Sequence, residues 1–222
     1  LKLIISSLII FHSCNLKREA LGADNEIRVI CSDIDRELVE KYLNKIFIDT
    51  LFCPEPEPLY HFKFTSPETY ENFKKQSKII VAAINREAGN TGAKLLKKIL
   101  PEKQYLQTLK NDPVILSRDV FSKNQLFMVI NAESEESLFK NIKNKSNSYR
   151  KIFNEHFKIR QRQYLTYENR NRKLEDTLQT NFGWSMKIPW GWIKIKSSRD
   201  SNFVWIGNEM PFQWVGISKT DG

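Results

Sequence analysis

Hydrophobic residues along this chain fall into three patterns, and each predicts a different kind of element. The first is an apolar run at the very start, Leu3 to Phe11, behind a single positive charge at Lys2. It spans roughly ten residues, about half the ~20 that a membrane-crossing helix needs, and no second run like it follows. The second pattern consists of short apolar or alternating stretches. Glu26 to Ser32, Tyr60 to Thr65, Ile79 to Ile84, Val114 to Arg118 and Gln125 to Asn131 read as strands. Helical spacing separates them over Asp35 to Asp49, with Leu38, Tyr42, Leu43, Ile46 and Phe47 inward, and again near Ala93 to Leu100. A further helix is capped by Ser66, takes Pro67 at its first position and runs to Gln76. Pro54 to Pro58 reads as a stiff proline-rich linker.

The third pattern is one long stripe. No proline or glycine occurs from Ala132 to Phe182, Ser134 can cap the start, and Gly183 is a natural stop. Leu138, Ile142, Tyr149, Ile152, Phe153, Phe157, Tyr164, Tyr167, Leu174 and Leu178 recur at spacings of three, four and seven, which marks a buried seam. This predicts either one protruding helix from about Ser134 to Phe182 or two helices breaking near Lys145 to Ser148. Beyond Gly183 only short strands are expected: Met186 to Ile188, Trp192 to Ser197, Phe203 to Gly207 and Gln213 to Ser218, with turns at Pro189, Gly191 and Asp200. The sum is an α+β protein with largely antiparallel sheets, packed helices and one long basic helix.

Charge changes that picture locally. The chain carries a net +9, and between Lys140 and Lys173 there are eleven basic residues against two acidic ones, Glu155 and Glu168. The whole excess therefore lies on the long helix, mainly on its solvated faces. A charge run of this kind is usually no more than that. It can also meet an anionic partner, and Arg160 and Arg162 are the candidate contacts.

The apolar start followed by Ser13-Cys14 has the layout of a secretory signal ending in a lipobox, with the Cys14 thiol as the lipid attachment point. Phe11 and His12 depart from the usual small or aliphatic lipobox residues, and the competing interpretation is a buried N-terminal strand. The polar stretch Asn15 to Asp24 suits a tether. The expected organisation is a signal peptide over 1–13, a lipid-anchored tether over 14–24, an α+β domain over 25–182 and the start of a β-rich part over 183–222. Leu1 in place of Met, and a stop just after an apparent strand, lead to the expectation that the fold continues past the given ends. The resulting address is the cell envelope, at the outer membrane facing the periplasm. In that oxidising compartment Cys31 and Cys53 either form a disulfide or remain two separate thiols.

At these segments the chain resembles an envelope lipoprotein family known as domain of unknown function 4837. The resemblance rests on Asn25 to Ile30, on Glu57-Pro58 before an alternating strand, and on Ser77 to Val81. It continues in Asp119 to Gln125, in Phe182 to Pro189 and in Phe203 to Ile206, with Cys53-Pro54 standing where the family pattern has Pro-Gln. It implies a lipoprotein of unknown activity and transfers no catalytic residue.

Motifs for chemistry are sparse. There is no Gly-x-Ser-x-Gly elbow, no phosphate-binding glycine loop, no dinucleotide turn and no His-Glu-x-x-His, so no catalytic residue, cofactor or metal is assigned. Asp33 and Asp35 after the first strand suit a helix start better than acid–base work. Glu55 and Glu57 suit a solvated linker, His61 a structural role in a strand, and His156 a place on the surface or seam of the long helix. More suggestive is that all five tryptophans, Trp184, Trp190, Trp192, Trp205 and Trp214, fall in the C-terminal part. Trp190, between Pro189 and Gly191, is expected to be exposed. With Trp192 and Trp205 it forms the candidate set of partner or ligand contacts, against the competing view of a sheet face packed under a helix. Two functions remain: a non-catalytic binding or structural lipoprotein that meets an anionic envelope component, or an envelope hydrolase completed by sequence beyond Gly222. Export argues against nucleic acid as a partner, and oligomeric state is left open.

Overall fold

A computed structural model describes residues 17–52, 54–84, 89–110, 112–166, 170–209 and 212–219. The chain divides into two compact units, Leu1–Phe153 and Asn154–Gly222.

The first unit is built from β1 (Glu26–Cys31), α1 (Asp33–Ile46), a small hairpin of β2 (Thr50–Phe52) and β3 (Pro56–Pro58), and β4 (His61–Thr65). A 3-10 turn at Pro67–Thr69 leads into α2 (Tyr70–Phe73), followed by β5 (Lys78–Ala83), α3 (Thr91–Ile99), α4 (Glu102–Lys110), β6 (Val114–Arg118) and β7 (Leu126–Asn131). The helix α5 (Glu135–Thr166) begins in this unit, and the division between the units falls within it. Five strands form one sheet in the order β4-β1-β5-β7-β6. The β4–β1, β1–β5 and β5–β7 ladders are parallel and β6 runs antiparallel to β7. Helix-bearing crossovers bring these strands together side by side and in the same direction.

Register places Ile30, Val81 and Val129 on one face and Val29, Ile80 and Met128 on the other. The first face packs under α2, α3 and α4 through Tyr70, Phe73, Leu96, Ile99 and Tyr105. Toward the other, α1 buries Val39, Tyr42, Leu43 and Ile46. Helix α5 is held to α1 by a polar chain, in which the Tyr42 hydroxyl donates to Asn141 Oδ1 at 3.0 Å and Asn141 Nδ2 donates to Asp112 Oδ1 at 2.7 Å. An edge-to-face aromatic cluster adds to this, Phe153 lying 4.8 Å from Phe47 and 6.4 Å from Tyr60 between centroids.

The second unit contains the rest of α5, then α6 (Arg172–Phe182) and an antiparallel sheet of β8 (Ile193–Ser198), β9 (Phe203–Glu209) and β10 (Phe212–Ser218) in the order β10-β9-β8. Among the described residues the fold is α+β, and four of seven strand ladders are antiparallel.

Several local expectations are revised. The long helix does not break at Lys145 to Ser148. Instead α6 starts afresh at Arg172, where Asn171 caps it by accepting from Leu174 N at 3.0 Å. Met186 to Ile188 forms no strand. Pro54 to Pro58 is not a simple linker, because Thr50 pairs with Pro58 and Phe52 with Pro56; prolines are tolerated in a two-stranded pair whose outer edges need no N–H donors. The helix α4, too short and polar to stand out by periodicity, was missed. Of the residues expected to form a tether, those described pack within the first unit: Ala20 is buried, its N–H donates to Lys123 O at 2.9 Å, and Leu21 N donates to Lys75 O at 3.0 Å.

The aromatic cluster yields a test. Phe153→Ala is expected to lower stability by about 3–5 kcal/mol in urea unfolding; a loss below about 1 kcal/mol would show that the cluster does not anchor α5.

Candidate functional site

Of the candidate contacts, Trp205 lies in the second unit's sheet and Trp190 and Trp192 lie just before it. In β9, alternation sends Val204 and Ile206 inward, where they pack with Leu174, Leu178 and Ile188 over α6. Phe203, Trp205 and Gly207 take the opposite face, and register brings Gly216 and Trp214 of β10 beside Trp205 and Gly207. The Trp214 ring lies over Gly207, where an added Cβ would strike it and come within 2.8 Å of the Gln213 carbonyl and 3.0 Å of Ile195 Cδ1. Phe203 lies beside Gly216, where an added Cβ would make only ordinary contact at 3.4 Å. Gly207 is therefore what lets the Trp214 ring lie down on the sheet. Trp205 and Trp214 meet edge-to-face with centroids 6.2 Å apart.

A register shift between Lys194 and Lys196 leaves Ile195 as an extra residue in β8. Ile195 then joins Trp214 over Gly207. Of this face Trp214 remains 60 % exposed, Ile193 52 % and Ile195 41 %, and Trp190, in the preceding turn, is 76 % exposed. Lys196, opposite Trp205, lies among these apolar groups and is exposed, whereas Lys194, also exposed, is opposite Ile206 and so belongs to the other face. Trp192 is half-buried against the α6 cluster, and its carbonyl accepts from Asn171 Nδ2 at 2.8 Å. Of the candidate set, then, Trp205 lies on the open face and Trp190 is exposed nearby, while Trp192 is structural. Reasoning from sequence passed over Ile193, Ile195 and Trp214 as site residues. Their signal was the Ile-Lys-Ile-Lys alternation and the glycine opposite Trp214.

Glu175 positions the sheet's entry. Arg170 grips its carboxylate with two N–H groups, Nε to Oε1 at 2.9 Å and Nη2 to Oε2, and Ile188 N donates to Oε1 at 2.8 Å. The Arg170 bonds above all hold the carboxyl below its ordinary 4.5. On α5, Arg162 is exposed and Arg160 half-buried.

The other candidates separate from this surface. Cys31 is a buried free thiol whose pKa is pushed to about 12, first by burial and then by the charge of Asp35, so it is not a thiolate at neutral pH. Cys53, and Cys14 where lipid attachment was expected, lie outside the described residues. Asp33 is exposed in the first turn of α1, while Asp35 is buried and accepts from Asn90 Nδ2 at 2.7 Å. Asn90 also caps α3 by accepting from Ala93 N at 3.0 Å, which makes this a structural junction at the ends of β1 and β5. Glu55, Glu57 and His61 are exposed, and His156 is buried. Among the described residues no three His, Cys, Asp or Glu side chains group to hold a metal, and no helix is long and apolar enough to cross a membrane.

Because the folded Glu175 carboxyl titrates below its unfolded value, its stabilisation is intact above about 4.5 and is lost as pH falls through the depressed value. All five tryptophans lie in the second unit, so their fluorescence reports that unit. Glu175→Gln is expected to cost about 1–2 kcal/mol at neutral pH and to abolish most of the loss of the fluorescence melting temperature below pH 4.5; a variant with an unchanged acid profile would refute the assignment.

No curated protein and no solved structure matches the chain. The likeness to domain of unknown function 4837 is corrected by a family model for a different domain. The short strand and turn segments that carried the likeness, each unspecific, recur wherever similar elements follow one another. The matching model spans residues 20–165, so it covers the large sheet and nearly all of α5 and stops before β8–β10. The chain belongs to the family described as Domain of unknown function (DUF8532).

Proposed function

We propose that this chain is an exported, lipid-anchored protein of the cell envelope that acts by non-catalytic binding, with the open face of β8–β10 meeting an anionic lipid surface. The observation that carries this reading is the composition of that face. Tryptophan and isoleucine side chains stay exposed in contiguous register with Lys196 among them and Lys194 at the same edge strand. Tryptophan is the residue that settles best at a membrane–water boundary, its ring in the headgroup region and its N–H wet. Lysines beside it gain about 1 kcal/mol each near an anionic leaflet. Exposed Arg162 and half-buried Arg160 add to the positive field. The N-terminal pattern, an apolar run closing on Ser13-Cys14, supports export and acylation.

Two measurements separate the parts of this proposal. Full-length protein made in a bacterial host is expected to gain acyl mass and partition with membranes, and Cys14→Ala to do neither; an unmodified wild type would refute the anchor. The surface is tested with Cys14→Ala protein and vesicles. Sedimentation with phosphatidylglycerol-containing vesicles is expected to exceed that with pure phosphatidylcholine, to weaken with added salt, and to fall roughly tenfold in Trp190→Ala/Trp214→Ala. Equal binding to neutral and anionic vesicles, or none to either, would overturn it.

A further inference from the structure

The first unit holds a cavity that plays no part in this reading. It measures about 170 Å³ and opens between the α3–α4 junction and the sheet. Its floor is Phe127 and Val129 of β7, both buried, and its walls include Ile99, Leu100, Ile115 and Phe121. Gln104, an exposed residue, also lines it, so the cavity reaches solvent there, and Ser117 lies half-buried along it.

Tyr70 lines the same cavity. It is 4 % exposed, and its hydroxyl is buried with no hydrogen-bond partner among the described residues. Buried hydroxyls are normally paired, because an unmet one forfeits the bonds it had in water. The wall beside it is rigid. The turn from Asp119 to Asn124 has positive φ at both of those residues and is clamped by buried Gln125, whose Oε1 accepts from Phe121 N at 2.9 Å and whose Nε2 donates to Lys74 O and Gln76 O, each at 2.8 Å. The Tyr70 and Phe121 rings pack edge-to-face with centroids 6.2 Å apart. The space is thus mostly apolar and lined by a buried tyrosine whose hydroxyl is unpaired, with Gln104 and Ser117 as its other polar lining residues.

We infer that this cavity is a binding site for a small, mostly apolar molecule of about benzene size that carries one hydroxyl or carbonyl oxygen, which pairs with the Tyr70 hydroxyl. Its size matches cavities of about 150 Å³ that admit benzene, and a mostly apolar lining with a few placed polar groups is the usual composition of such sites. Burial, with a smaller contribution from Glu71, pushes the Tyr70 phenol up to about 12, so it stays protonated and able to donate to a ligand oxygen at neutral pH.

Methyl-labelled full-length protein titrated with benzyl alcohol and with toluene tests this by NMR. Saturable shifts are expected at the methyls of Ile99, Leu100, Ile115 and Val129, with benzyl alcohol binding roughly tenfold more tightly than toluene. Tyr70→Phe removes only the unpaired hydroxyl, so the fold is expected to persist and the two probes to bind alike. Absence of saturable shifts with either probe overturns the site. Equal affinities in the wild type, or a preference for benzyl alcohol that survives in Tyr70→Phe, overturns the role given to Tyr70.

Discussion

Strand β5 sits at the centre of the large sheet with every residue from Lys78 to Ala83 buried, and most of the first unit's architecture follows from enclosing it. A strand with no solvent face needs helices on both sides and a neighbour on each edge. The α2–α4 layer supplies one cover, α1 and α5 face the other side, and β1 and β7 supply the edges. Lys78 makes the demand sharper, because a buried ammonium must be met by polar groups. It donates to the Asp24 carbonyl, which fastens the segment before β1, and it lies 5.9 Å from the Tyr60 ring.

The second unit solves a different problem with less material. Its sheet buries one face on α6, where Val204 and Ile206 of β9 pack with Leu174, Leu178 and Ile188, and the other face stays open. What lets a large ring lie on that open face is Gly207 beneath Trp214. What keeps the face in place is Glu175, which ties Arg170 and the Ile188 amide together just before the sheet begins. The aromatic surface thus depends on a carboxylate that is not part of it.

Legibility in the sequence varied with the range of the forces involved. Val114–Arg118 was readable to the residue, because the branched apolar run Val114-Ile115-Leu116 and the flanking Pro113 act locally. The Ser134 start of α5 was readable from its cap, which the Ser137 N–H meets at 3.3 Å, and the Gly183 stop from its left-handed backbone at φ 70°. The hairpin at Thr50–Phe52 and Pro56–Pro58 was hidden because proline signals a linker when no pairing partner is in view. The restart of the helix at Arg172 was hidden because nothing near Asn171 announces that it caps rather than continues a turn. Of the candidate surface, the exposed Trp190 was visible from its neighbours Pro189 and Gly191, whereas Ile195 joined the face only through a bulge that depends on β9.

By itself, then, the sequence determined most of the stretches that become strand or helix, where the positive charge collects, and that the tryptophans gather in one C-terminal segment, because propensity, periodicity and capping are properties of neighbouring residues. The tertiary structure alone decided that β1 lies between β4 and β5, that Asn90 meets Asp35 across 55 positions, and that Tyr70 closes a cavity with its hydroxyl unpaired. Those outcomes depend on which distant surfaces bury one another, and no local pattern encodes that choice.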